Sequence, residues 1–194
     1  NITGLVAGLG IGGIAVALAV QNILGDLMAS LSIVLDKPFV IGDFIVVDSH
    51  MGTIEHIGLK TTRLRSISGE QLIFSNNDLL KSRIRNFKRM AERRVVFSFG
   101  LVYQTPVEKL KLAKRIVSEI IDKKADARFD RVHFKEYGDF SLNFEAVYYV
   151  TVPDYNTWMD IQEDINLQIF ERFAKEGIEF AYPTQTLYVQ RETS

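Results

Sequence analysis

From Gly4 to Val20 the chain reads GLVAGLGIGGIAVALAV, every residue glycine or apolar, and the first charged side chain is Asp26. Five of these residues are glycine, at positions 4, 8, 10, 12 and 13. Each glycine inside a helix costs about 0.5–1 kcal/mol relative to alanine. A helix so rich in glycine needs an offsetting gain. Close approach of neighbouring helices in a membrane supplies one, because small residues let backbones touch.

At about 100° per residue, Ile11, Ile14 and Leu18 fall within about 60° of one another, with Ala7 among them. Gly10, Gly13 and Ala17 lie on one flank of that stripe, and Gly8, Gly12, Ala15 and Ala19 on the other. Leu5, Leu9, Val16 and Val20 form the back. Two small flanks suit a helix with an identical neighbour on each side, which is the arrangement of a closed ring. The bulky stripe would then face the axis, and a ring of apolar side chains can gate a path by dewetting. The alternative is a buried Gly/Ala-rich helix of a globular core, such as a dinucleotide-binding fold; no strand precedes it in this chain.

Seventeen residues of helix span about 25 Å, which is short for crossing a bilayer unaided. The stretch has no basic segment before it and no clear cleavage site after it, so it does not read as a signal peptide. The apolar pattern is already under way at the first residue, and further transmembrane helices are expected upstream.

Gln21-Asn22 interrupts the apolar run. Ile23, Leu24, Leu27, Met28, Leu31, Val34 and Leu35 then recur at amphipathic helical spacing, with Gly25, Asp26, Ser30 and Ser32 on the less apolar face. Such a helix suits a membrane interface or the roof of a domain. A bend is expected over Gln21–Gly25, with Asn22 and Gly25 as hinge candidates. Pro38 disfavours helix at Lys37 and ends the element.

Residues 39–88 alternate in short β-branched runs, at 44–48, 51–58, 59–67 and 70–75, separated by turn residues such as Gly42-Asp43, Ser68-Gly69 and Ser75-Asn76-Asn77-Asp78. Four or five strands in that length predict a small barrel of the SH3 or Sm type. Residues 80–94 are basic and read as a solvated linker; aromatic interleaving is limited to Phe87, so nucleic acid is not an expected partner. From 94 onward a strand, a helix to about Lys123, a hairpin around Gly138-Asp139, a helix over about 155–176 and strands at 178–182 and 186–190 give the order β-α-β-β-α-β of a ferredoxin-like sandwich.

The fold expected is therefore an α-helical membrane pore segment, then a small all-β barrel, then an α+β ferredoxin-like domain with a C-terminal strand. The expected domains are 1–37, 38–92, 93–183 and 184–194. The net charge is −1 and there is no cysteine, which excludes disulfides and thiol chemistry. Neither a phosphate-binding loop nor a metal-type histidine pair nor a nucleophile motif occurs, so no enzyme activity and no cofactor are expected.

Several motifs, taken in order, resemble the MscS family of mechanosensitive channels. They are Gly10–Val20 followed by Gln21, Lys37-Pro38-Phe39 with Gly42-Asp43, Gly52-Thr53-Ile54, Thr61-Thr62-Arg63, Asn86-Phe87 with Arg93-Arg94, and Gly177-Ile178 with Phe180 and Tyr182-Pro183. The chain differs from the family at Asn22 and Ser30, where glycine is common, and at Ser75-Asn76, where Pro-Asn is usual.

The resemblance implies a homo-heptamer opened by membrane tension, with Ile14 and Leu18 as the constriction and Ile11 and Gln21 also lining the pore. Gly8, Gly10, Gly12, Gly13, Ala15, Ala17 and Ala19 would pack the helices. It also implies a cytoplasmic cage closed by strands such as 186–189. Lipids, permeating ions and small solutes are the implied partners. The implied place is the inner (plasma) membrane, multi-pass, or else an organellar inner membrane. The alternative function is a non-channel oligomeric membrane scaffold with a cytoplasmic binding module.

Overall fold

A computed structural model describes residues 2–188, with the side chains of residues 3–7 and of Asn22 outside the description. The chain divides into two compact units that meet between Arg89 and Met90.

The first unit begins with helix α1 (Ile2–Asp36), followed by strands β1 (Phe44–Val47), β2 (His50–Ile57), β3 (Thr61–Ser66) and β4 (Gln71–Ser75), the short helix α2 (Asn76–Lys81) and strand β5 (Ile84–Asn86). The strands form one antiparallel sheet in the order β4-β3-β2-β1-β5. Ile33, Phe39, Ile45, Val47, Ile54, Leu64 and Leu79 make the core, so the end of α1 belongs to this core. Gly52 is required where β2 crosses β3: a Cβ there would lie 2.4 Å from the Arg65 carbonyl oxygen. The chain's way into and out of the sheet is tied by Asp43. Its buried carboxylate accepts from the Val40 N–H (3.1 Å) and the Asn86 side-chain amide (2.7 Å) and faces Arg89 at 3.5 Å.

The second unit contains β6 (Arg93–Leu101), α3 (Val107–Asp122), β7 (Ala127–Tyr137), β8 (Leu142–Val150) and α4 (Tyr155–Lys175). The sheet order is β6-β8-β7. Ala113, Ile116, Val117, Ile120 and Ile121 of α3 and Ile165, Ile169 and Phe173 of α4 pack on Phe144, Ala146 and Tyr148 of β8. Asp154 caps α4 by accepting the Thr157 N–H at 2.7 Å, which holds its carboxyl below the usual carboxylate range. Gly177, at φ +62°, ends that helix, and the Ile178 N–H returns to the Phe173 carbonyl at 2.8 Å.

Three expectations are corrected. Residues 76–78, read as a turn, form α2 together with 79–81, because Ser75 caps the helix and accepts the Asp78 N–H at 3.2 Å. The stretch read as a basic linker contains β5, which pairs with β1 from Ile45–Asn86 to Val47–Ile84; three residues are too few to show alternation. The strand expected over 178–182 is a single bridge, Leu101–Phe180, and residues 181–188 carry no regular structure.

Pro183 explains the last correction. Val102 N–H bonds to Glu179 O and Ala181 N–H to Gly100 O; the next N–H due on that side belongs to residue 183, and proline has none. The part of the expected terminal strand that falls on 189–194 lies outside the described residues.

Two outcomes follow. Gly52→Ala should lower unfolding stability by about 1–3 kcal/mol or more, because the β3 backbone must move; denaturant unfolding of the full chain measures this. The Tyr148 hydroxyl donates to Gln162 at 2.9 Å, and burial pushes it up to about 12. The unfolded chain releases this proton first, near pH 10. Stability should therefore be intact below that pH and fall as pH rises towards 12, and Tyr148→Phe should flatten this alkaline decline in pH-dependent melting.

Candidate functional site

The helical hydrogen-bond pattern of α1 is continuous, but the axes of Gly8–Gln21 and Ile23–Asp36 differ by 45°. No single described helix is long and apolar enough to cross a membrane; the bent pair passes by length and composition. Residues 8–21 are exposed throughout. Ile11 is 71% exposed, and Ile14 and Leu18 are each 64% exposed. Gln21, Ala15, Ala17 and Ala19 are exposed as well. A Cβ added at Gly8, Gly10, Gly12 or Gly13 would meet nothing within 4 Å. So among the described residues neither the bulky stripe nor the small flanks have packing partners.

The second half of α1 behaves differently. Asp26, Ala29, Ser30 and Ile33 recur at helical spacing and are buried against the first unit. The sequence marks Gly25, Asp26, Ser30 and Ser32 as the less apolar face of a helix suited to a membrane interface or to the roof of a domain. That face is the one that docks on the folded domain, while Ile23, Leu24, Leu27, Met28, Leu31, Val34 and Leu35 remain exposed.

Hydrogen bonding explains this orientation. Oδ1 of Asp26, a residue only 6% exposed, accepts from the Ser75 hydroxyl at 2.7 Å and from the Asn77 N–H at 3.2 Å. The Ser75 oxygen in turn accepts the Asp78 N–H, and the Asn76 N–H goes to the Lys60 carbonyl at 2.9 Å. The first three N–H groups of α2, which no helix can satisfy internally, are thus all paired, one of them by a carboxylate from α1. Next to Asp26, the Gly25 backbone passes the Asn77 side chain with about one methyl group of room, a Cβ there lying 3.6 Å from the amide nitrogen.

Of the two hinge candidates, Gly25 is therefore half-buried in this joint, and the Asn22 side chain lies outside the described residues. Sequence reasoning missed Asp26, Ser75 and Asn77 as a unit. The readable signal was Ser75 three residues before Asp78 ahead of Leu79-Leu80, a helix N-cap pattern.

Residues 22–89 match the family described as "Mechanosensitive ion channel, beta-domain", and residues 95–180 match "Mechanosensitive ion channel MscS, C-terminal". The chain belongs to the MscS family of mechanosensitive channels. It is 42% identical over 193 residues to the small-conductance mechanosensitive channel MscMJ of Methanocaldococcus jannaschii, a match covering 99% of this chain and 55% of that protein. It is 40% identical over 197 residues to the large-conductance channel MscMJLR of the same organism, again covering 99% of this chain and 55% of the relative. The chain thus spans about half the length of these relatives. Its fold is similar to that of Helicobacter pylori MscS in a closed-state crystal structure, with a TM-score of 0.76 at 24% identity over 99% of this chain and 75% of that one. This MscS-family fold includes the helix as well as both units.

The joint predicts opposite effects of two substitutions at one site. Gly25→Ala should stabilise the first unit by about 0.5–1 kcal/mol, since alanine favours the helix and its Cβ makes an ordinary contact. Gly25→Leu should destabilise it by driving into Asn77. Unfolding of the two variants beside the parent chain tests this.

Proposed function

We propose that this chain is the pore helix and the two following domains of a mechanosensitive channel subunit, opened by membrane tension to release ions and small solutes in hypoosmotic shock. The observation that carries this reading is the division of α1. Residues 8–21 are apolar, glycine-rich and exposed, whereas residues 26–33 are fastened by a buried polar joint to a folded domain. A helix of this kind is stable where lipid and neighbouring helices cover its first half.

In this reading the subunits form a homo-oligomer, a heptamer by family resemblance. They sit in the inner (plasma) membrane, with upstream helices in the rest of the protein and the two units on the cytoplasmic side. Ile14 and Leu18 form the constriction, and Ile11 and Gln21 line the path on either side of it. Gly8, Gly10, Gly12, Gly13, Ala15, Ala17 and Ala19 pack against the adjacent pore helices. The 45° change of axis between Gly8–Gln21 and Ile23–Asp36 supports a hinge at Asn22, with Gly25 seated against Asn77.

We read the five-stranded sheet as a small barrel of the SH3 or Sm type. The second unit reads as a ferredoxin-like sandwich, its fourth strand cut to the Leu101–Phe180 bridge. A strand within 184–194 would form by pairing with other copies. Tension would tilt the pore helices apart, widen the ring at Leu18 and let water in.

Burying a leucine contributes about 1.5–3 kcal/mol relative to exposing it, so Leu18→Ser should weaken the closed ring by that order in each subunit. The full-length Leu18→Ser channel should open at lower tension in patch recordings. A threshold equal to that of the parent would count against the constriction, and a reconstituted parent protein passing no current at any tension would favour a scaffold.

A further inference from the structure

At the level of the α1 bend, the first unit presents a second feature that the pore reading does not use. The turn between β2 and β3 carries Leu59, which is 73% exposed, followed by exposed Lys60. The turn is firmly held. The fully buried Asn76 side chain donates to the Gly58 carbonyl at 2.8 Å and accepts from the Thr62 hydroxyl at 2.8 Å. The Gly58 N–H bonds to Thr61 O, and the Lys60 carbonyl accepts the Asn76 N–H.

This fixes the turn against the first residues of α2, whose capping serine and Asn77 N–H hold Asp26 of α1. Lys60 and Lys81, the last residue of α2, are the cations whose charge acts on the Asp26 carboxylate. Exposed Ile23 and Leu24 lie within one helical turn of Asp26, on the side where residues 8–21 begin. Asp26 itself is buried and bonded, which leaves Asp78 as the exposed carboxylate of α2.

We propose that this corner of the first unit rests on an anionic phospholipid surface, with Leu59 entering the acyl boundary and Lys60 and Lys81 holding headgroup phosphates. The inference rests on the reading that residues 8–21 enter the membrane. Charge complementarity selects the occupant: an exposed Leu59 next to exposed Lys60, with exposed Lys81 near enough for its charge to act on Asp26, matches a bilayer face that carries phosphate. It also gives the β-domain a hold on the bilayer independent of the pore helix, so that tension on α1 is resisted at a fixed point beside its bend.

The opposite end of the same strands supplies an internal control. Ile67, 71% exposed, follows β3 at its far end, about 20 Å from Leu59 by the rise of a six-residue strand. Because the chain has no cysteine, single labels can be placed cleanly.

The test uses the full-length protein in vesicles of phosphatidylcholine mixed with phosphatidylglycerol, with a nitroxide at Leu59→Cys, Ile67→Cys or Leu9→Cys. Relaxation by oxygen and by a water-soluble nickel chelate is compared. The expected result is oxygen-favoured relaxation at Leu9 and Leu59 and nickel-favoured relaxation at Ile67. Lys60→Gln with Lys81→Gln should shift the Leu59 label towards nickel, and so should omitting phosphatidylglycerol.

A nickel-favoured Leu59 label beside an oxygen-favoured Leu9 label overturns the proposal and leaves the membrane reading standing. A Leu59 label shielded from both reagents overturns it in favour of a protein cover, either a second copy or another segment of the subunit. A nickel-favoured Leu9 label defeats the membrane reading, and the proposal with it.

Discussion

The Asp26 carboxylate sits where a helix that carries no other charge before residue 36 meets the β-domain, and much of the first unit is arranged around it. A buried carboxylate without partners would cost several kcal/mol. Here Ser75 and Asn77 supply them, and they do so only when α2 starts at residue 76 and α1 lies with Ser30 and Ile33 turned towards the sheet. One side chain therefore sets the rotation of α1 about its own axis and pairs the Asn77 N–H of α2, while the Asn76 N–H of the same helix holds the β2–β3 turn through the Lys60 carbonyl.

That rotation has a consequence for the rest of the helix. With Asp26, Ala29, Ser30 and Ile33 facing the folded domain, Ile23, Leu24, Leu27, Met28, Leu31, Val34 and Leu35 face away and follow on from the exposed helix over residues 8–21. A soluble domain that exposes so many large apolar side chains along one helix carries a contiguous patch of the kind that marks an interaction surface. The structure thus joins an apolar rod, suited to lipid and like helices, to a domain with an ordinary core. The coupling between them combines the Asp26 hydrogen bonds with the burial of Ala29 and Ile33 against the domain. Asp43 does the same at the other end of the β-domain, where it ties residue 40 to residue 86 and so brings the incoming and outgoing chain together.

Much of this was legible in the residues. The Gly/Ala helix, four of the strands of the β-domain and the alternation of strand and helix in the second unit follow from period and turn chemistry. The face of α3 from Ala113 to Ile121 packs as its spacing predicts. What escaped was decided by tertiary pairing. Residues 84–86 become a strand because β1 offers an edge, and residues 76–81 become a helix because Ser75 and Asp26 meet its free N–H groups. The amphipathic half of α1 was legible as a pattern but not in its direction: hydropathy alone expects apolar residues to seek the core, and here a hydrogen-bonded aspartate reverses that preference. The short fourth strand follows from one proline whose effect depends on which side of the strand its missing N–H falls.

The central claim is that Leu18 faces a water path closed at rest and opened by tension. Substituted-cysteine accessibility in the full-length protein tests it most directly, with Leu18→Cys on the bulky stripe compared with Val16→Cys on the back of the helix. A charged, membrane-impermeant thiol reagent should alter the current through Leu18→Cys only after tension is applied, and should leave Val16→Cys unchanged at any tension. Equal modification at both positions, or modification at Val16 alone, would contradict the account.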